Sequence, residues 1–211
     1  MTEPTRPRFR FSADRNSASR KVRYIEGTQE PEGLCTLCQL DEYNPQPLKN
    51  TAMPLHIRPA TVADAALILG FIIDLAIYEK AEHEVKTDVA GIEASLFGPQ
   101  STSHGLICER DGVPVGYAVY FLSYSTWLGK HGIYLEDLYV SPEHRKIGAG
   151  KALLRHLAQL TVGKGYGRLE WAVLDWNTPA IDFYQSFGAK PQDEWTTYRL
   201  TGQALLDFAQ G

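Results

Sequence analysis

Glu136 and Asp137 are adjacent carboxylates inside an otherwise apolar and aromatic stretch, Ile133 to Val140, that has strand character. Neighbours on a strand face opposite sides of a sheet. Ser141-Pro142 ends the stretch. Arg145-x-x-Gly148-x-Gly150 then leads into Leu153, Leu154, Leu157 and Leu160, which is helical spacing. Small residues at a helix start let backbone N–H groups approach a ligand closely. The helix N-terminus adds a partial positive charge, so the turn suits an anion, best a phosphate. A phosphate cradle beside a strand-borne acid implies a phosphorylated cofactor whose reactive end reaches the carboxylate.

Two common phosphate loops fail against this stretch. A Walker A loop, G-x-x-x-x-G-K-[ST], would need glycine where Arg145 stands and Ser or Thr where Ala152 follows Lys151. The dinucleotide fingerprint G-x-G-x-x-G would need a third glycine at Leu153. The pattern that fits is [Q/R]-x-x-G-x-[G/A], and in this the stretch resembles the acetyl-CoA pyrophosphate loop of the GNAT acetyltransferase superfamily.

The elements that must position these residues occupy the last three quarters of the chain. With 211 residues and 44% hydrophobic content, one soluble domain with a tail is expected. No run of about 18 apolar residues is present, so no membrane span is expected. No signal-peptide core follows Met1, which implies a cytoplasmic protein. Three cysteines, an odd number, argue against a disulfide scaffold. A net charge of −4 gives no general reason to expect nucleic acid.

Residues 1–52 carry 8 Lys/Arg and 7 Asp/Glu, and residues 53–211 carry 13 and 18, so the second part is mildly acidic and suits a cationic substrate. The first 52 residues are rich in Arg, Ser, Pro, Asn and Gln and hold no lasting helical or strand period, the composition of a disordered extension. Cys35-x-x-Cys38 has neither a second pair nor a nearby His, which argues against zinc. Glu3 and Asp14 argue against a transit peptide, and Met53 is a candidate natural start. The six His form no metal-ligand spacing, so no metal is expected.

The folded part, residues 53–211, begins with a strand at Leu55 to Arg58 stopped by Pro59. Thr61 with Asp64 resembles a capping box and opens a helix through Leu67, Ile68, Phe71, Ile72, Leu75 and Tyr78. A second helix follows Thr87 and stops before Gly98-Pro99. Gly105 to Arg110 and Val113 to Ser123 form a hairpin through Asp111-Gly112, and Tyr124 to Trp127 a loop. After the central strand and helix, Arg168 to Trp176 is expected as a strand. Thr178 and Pro179 start a helix that Gly188 ends, Trp195 to Leu200 is expected as a last strand, and Thr201 to Ala209 as a helix. The order predicts an α/β fold with helices on both faces of a mixed, mainly antiparallel sheet.

Residues 55–211 as a whole resemble the spermidine/spermine (diamine) N-acetyltransferase branch of the GNAT superfamily. Ile57-Arg58-Pro59-Ala60-Thr61, Leu75-Ala76-x-Tyr78-Glu79, Tyr134-Leu135-Glu136-Asp137 and Trp176-Asn177-x-Pro179-Ala180-x-x-Phe183-Tyr184 are each similar to one of its motifs, in the same order. Tyr124-Ser125-Thr126-Trp127 and Ala172 to Asn177 look like the thialysine N-ε-acetyltransferase members. Polyamine-acetylating members carry an aspartate where this chain has Ser125, and Lys146 stands where the family usually has glycine.

The resemblance implies a GNAT fold, acetyl-CoA as cosubstrate, a small-molecule amine as acceptor and a homodimer. It implies Glu136 as the base that takes a proton from the ammonium, with Asp137 as a possible second acid, and Tyr184 as the acid that protonates the departing thiolate. Tyr78, Glu79, Trp127, Glu136 and Asp137 would bind the acceptor. Leu138, Tyr139 and Val140 would polarise the acetyl carbonyl through their backbone. Arg145, Lys146, Ile147, Gly148, Ala149, Gly150 and Lys151 would hold the pyrophosphate, and Asn177 and Tyr184 the pantetheine end. The chemistry agrees: an amine with a pKa of about 10.4 is an ammonium at neutral pH and cannot attack a thioester until a base removes its proton. A thialysine- or lysine-like amino acid is the favoured acceptor, attacking the thioester directly; a diamine or polyamine is the alternative, and a protein amine stays open. A non-catalytic acetyl-CoA-binding module is the reading from another class.

Overall fold

The computed structural model describes residues 54–211. The expected extension over residues 1–52, the Cys35/Cys38 pair and Met53 lie outside the described residues.

Five strands form one sheet in the order β1 (Leu55–Pro59), β2 (Ser103–Arg110), β3 (Val113–Ser125), β4 (Lys130–Val140) and β5 (Leu169–Trp171). The first four pair antiparallel, and β5 runs parallel to β4. The β2–β3 turn is Asp111-Gly112 with both φ angles positive, +57° and +76°, the twist that suits a two-residue hairpin. Tyr124 and Ser125, expected in a loop, extend β3.

Helices cover both faces. α1 (Ala65–Glu79) and α2 (Val89–Phe97) pack Ala65, Ile68, Phe71 and Ile92 against Ile107, Tyr117 and Tyr139. On the opposite face α3 (Ala149–Gly163) packs Ala149, Leu153, Leu154 and Leu157 against Leu106, Cys108, Val115, Ile133 and Leu135. The leucine spacing of α3 thus became the buried stripe it implied. Leu106 and Cys108 face α3 while Ile107 faces α1, the period of two that a sheet covered on both sides demands.

The entry to α1 is fixed by charge. The Asp64 carboxylate accepts from the Thr61 N–H at 2.8 Å and the Thr61 hydroxyl at 2.9 Å. Arg58 donates two further bonds to it at 2.8 Å each and reaches Glu109 Oε1 at 2.7 Å. At the other end Lys80 takes the left-handed conformation, φ +61°, and closes the helix.

Two expected strands differ. Only Leu169–Trp171 of the stretch Arg168 to Trp176 is strand, because the chain then leaves β4 and turns, Asn177 N–H donating to Leu174 O at 2.8 Å. Trp195 to Leu200 forms no strand: among the described residues no neighbouring ladder takes up its backbone, and Trp195 and Tyr198 are 68% and 92% exposed. Alternation alone does not make a strand without an edge to join. α4 (Thr178–Gln185) and α5 (Gly202–Gln210) complete the described chain, with Asn177 rather than Thr178 at the N-cap of α4.

Candidate active site

β4 and β5 share three rungs, Ile133 with Leu169, Tyr134 with Glu170 and Leu135 with Trp171, and then separate. On its other side β4 keeps pairing with β3, but the register slips. Tyr120 faces Leu135 and Val119 faces Asp137, so Glu136 has no partner and forms a bulge. The extra residue resets the alternation. Ile133 and Leu135 before the bulge, and Leu138 and Val140 after it, all lie against the α3 side. Tyr139 packs on the α1 side, and Asp137 bonds Tyr117 of that same core. Simple alternation across Glu136 and Asp137 is therefore replaced by a bulged pair. A cavity of about 570 Å³ fills the opening between the diverging strands.

One wall of the cavity is β4 itself, from Leu135 through Glu136, Asp137, Leu138 and Tyr139 to Val140. Its edge toward β5 is unpaired beyond Leu135, so backbone groups face the opening. At the far end lies the turn into α3. Lys146 and Gly148 adopt positive φ, +68° and +92°. Such angles suit glycine, and they cost a lysine about 1 kcal/mol or more.

Among the described residues, no backbone hydrogen bond outside helices and strands is donated by Lys146, Ile147, Gly148, Ala149 or Gly150. The first turn of a helix has no internal acceptor for these groups, so they remain free for an anion. A Cβ on Gly148 would meet nothing within 4 Å, and one on Gly150 only Leu138 and Val140 side chains at 3.7 and 3.9 Å. Protein packing does not crowd either glycine, which leaves room for a ligand. With Arg145, Lys146 and Lys151 also lining the cavity, this donor set fits the phosphates of acetyl-CoA.

Arg145 is held by its neighbours. Its guanidinium lies 5.0 Å from the Tyr78 ring centre and 5.9 Å from that of Tyr139, and its Nε donates to Val140 O at 3.2 Å. Tyr78 in turn donates to Asn177 Oδ1 at 3.3 Å and packs on Trp176, linking the end of α1 to the start of α4.

The acidic end gathers Glu79 from α1 with Glu136 and Asp137 from β4. Burial pushes the Asp137 carboxyl above its usual range, opposed by the hydrogen bond it accepts from Tyr117 at 3.0 Å. Burial also raises Glu79, and the Asp137 charge raises it further. Tyr184 stands on α4 with its ring 5.0 Å from that of Trp171. Burial, then the nearby Glu79, raises its phenol, which therefore stays protonated at neutral pH. A carboxylate that can accept a proton and a phenol that can give one thus line one cavity.

The side chains of two expected site residues lie outside the cavity lining. Ile147 packs against the α3 core, and Trp127 is 86% exposed, edge-on to Trp195. Ser125 is also outside the cavity lining; it is buried, and its Oγ accepts from Leu128 N–H at 3.3 Å to close the β3–β4 turn. The cavity adds residues that the sequence did not assign to the site: Leu75, His144, Trp171, Val173 and Phe183 among them. Most are apolar, and at their spacing they are indistinguishable from core. Only the divergence of β5 from β4 exposes them to a cavity.

The free N–H groups before α3, the acidic residues of α1 and β4 and the Tyr184 phenol of α4 line one cavity where the sheet splits. The chain belongs to the acetyltransferase (GNAT) family, which matches residues 72–189, and the protein is an acyltransferase. It is 39% identical over 164 residues to the thialysine N-epsilon-acetyltransferase of Bos taurus, spanning 72% of this chain and 96% of that protein. Over 96 residues it is 44% identical to the L-ornithine N5-acetyltransferase of Arabidopsis thaliana, spanning 46% of this chain and 42% of that protein. An integron cassette protein from the mobile metagenome of V. cholerae shares the fold with a TM-score of 0.65 at 24% identity, covering 75% of this chain and 99% of that chain.

Proposed function

We infer that the protein acetylates the terminal primary amine of a small amino acid of the thialysine or lysine kind, using acetyl-CoA. The observation that carries this is a single cavity holding both the free N–H groups before α3 and the carboxylates of Glu79, Glu136 and Asp137. Two of the relatives act, by name, on thialysine and on L-ornithine, both amino acids that end in an amine.

Acetyl-CoA, when bound, supplies an acetyl group activated as a thioester. Lys146, Gly148, Ala149, Gly150 and Lys151 would hold its phosphates, with Arg145 beside them. Those backbone N–H groups of the Leu138 to Val140 segment that face the open edge would draw charge from the acetyl oxygen. Asn177 would meet the pantetheine. Glu79 and Asp137 attract the acceptor's ammonium, and Glu136 takes its proton, which frees the lone pair for attack. Tyr184 gives its proton to the departing sulfur. Among the described residues, Cys108 is the one cysteine; its thiol is buried in the α3 core and is not part of the cavity lining, which supports direct transfer without an acetyl-enzyme. Intersecting initial-velocity lines with lysine or thialysine would support direct transfer. Parallel lines, or a trapped acetyl-enzyme, would contradict it.

One observation favours a second reading. Three carboxylates on one cavity could serve the several ammonium groups of a polyamine. A homodimer is also proposed, because α5 buries no residue and Trp127, Trp195, Tyr198 and Phe208 are exposed. Sedimentation at the mass of one chain would contradict it. No helix among the described residues is long and apolar enough to cross a membrane. A cytoplasmic setting is proposed with the acetyl-CoA reading, and export of the native protein would contradict it.

A further inference from the structure

Tyr117 on β3 is fully buried, yet its hydroxyl donates to Asp137 Oδ2 at 3.0 Å, at the acidic end of the cavity. Packing does not call for that hydroxyl. The ring stacks on Phe71 with centroids 5.5 Å apart and planes 10° from parallel, which a phenylalanine would do as well. A buried hydroxyl costs free energy unless it finds a partner, and Asp137 is the partner it has. The sheet register explains how the two meet. Tyr117 sits opposite Tyr139 and Asp137 opposite Val119, so Tyr117 and Asp137 are diagonal neighbours, a separation that a long aromatic side chain spans. The bulge at Glu136 brings Asp137 to this partner.

We propose that Tyr117 is a positioning residue of the site, whose hydroxyl fixes the Asp137 carboxylate where the acceptor's ammonium is received. The proposal rests on the amine-acceptor reading above. Asp137 is faced by Tyr117 from β3 and Glu79 from α1, with Glu136 beside it on β4. Tyr184 of α4 faces Glu79, and the Arg145 guanidinium lies beyond, between Tyr78 and Tyr139. Burial opposes a charged Asp137, whereas the Tyr117 hydrogen bond favours it, and the Asp137 charge in turn raises Glu79.

Tyr117→Phe keeps the stacked ring and removes only the hydroxyl. Two readouts test the role: the 13C carboxyl titration of Asp137, assigned by its loss in Asp137→Asn, and the pH profile of kcat/KM. Loss of a donor to a charged acceptor should move the Asp137 midpoint alkaline by about one pH unit, lowering kcat/KM about tenfold at pH values below the parent midpoint and little well above it. The acid limb of the profile should move with the midpoint. In an Asp137→Asn background, Tyr117→Phe should have no further effect. An unmoved midpoint overturns the proposal, and so does a moved midpoint with an unmoved acid limb. Equal loss of activity at every pH would make Tyr117 structural only and also overturn it. If the unmodified protein acetylates no amine, the amine-acceptor reading fails, while the titration midpoint still decides whether Tyr117 holds Asp137.

Discussion

The pairing of Leu135 with Trp171 is the last rung between β4 and β5. One residue later, Glu136 pairs with neither neighbour of β4. The strand is thus released on one side and bulged on the other at the same point. That coincidence opens the cavity and delivers a carboxylate into it.

Glu136→Gln should lower turnover about 100-fold at pH 7. The loss should shrink toward pH 10, where an amine with a pKa of about 10.4 is increasingly deprotonated without help. Rate profiles of the two proteins across this range check the point, and an equal loss throughout would contradict a base role.

Tyr184→Phe should reduce kcat by roughly 100-fold with little change in the acceptor KM, since it removes a proton donor and keeps the ring on Trp171. Burial raises this phenol, so its donor form should persist well into alkaline pH. A rise in KM at unchanged kcat would show that Tyr184 only binds.

Gly148→Ala forces a side chain into φ +92°, at a cost of about 1 kcal/mol in stability. Its Cβ would enter the open space at the cradle, so the KM for acetyl-CoA should rise about tenfold with the acceptor KM unchanged. Steady-state kinetics with each substrate varied separate the two effects.

Arg58→Met should destabilise the fold by about 2 kcal/mol at pH 7, since solvent screens the Arg58 side chain, which is 29% exposed. Arg58 holds the Asp64 carboxyl well below the usual range. A carboxyl lowered in the folded state contributes stability above the unfolded value of about 3.9, and that stability is lost as pH falls through the lowered folded value. The gap between variant and parent should therefore narrow in strong acid. Denaturant melts at pH 7 and below pH 3 measure it, and an unchanged gap would place the effect elsewhere.

Sequence reached furthest where local chemistry decides structure. The Asp111-Gly112 turn, the Thr61/Asp64 helix start and the leucine stripe of α3 each follow from residue type and spacing, and each is present. The glycine turn before α3 was legible for the same reason. Spacing could not show the bulge at Glu136, because a bulge belongs to two strands and their register. It could not show the Tyr117–Asp137 contact either, which joins residues 20 positions apart. Trp195 to Leu200 misled because alternation marks a surface able to pair, and no described strand lies beside it. Trp127 lies outside the cavity lining, its ring on the surface beside Trp195, a placement no motif spacing shows.

The central claim is acetyl transfer from acetyl-CoA to the amine of a small amino acid. Thiol release with thialysine, lysine, spermidine and 1,3-diaminopropane, assayed side by side, tests it most directly. The highest kcat/KM is expected with thialysine or lysine. Preference for spermidine or 1,3-diaminopropane, or no release with any of the four, would contradict it.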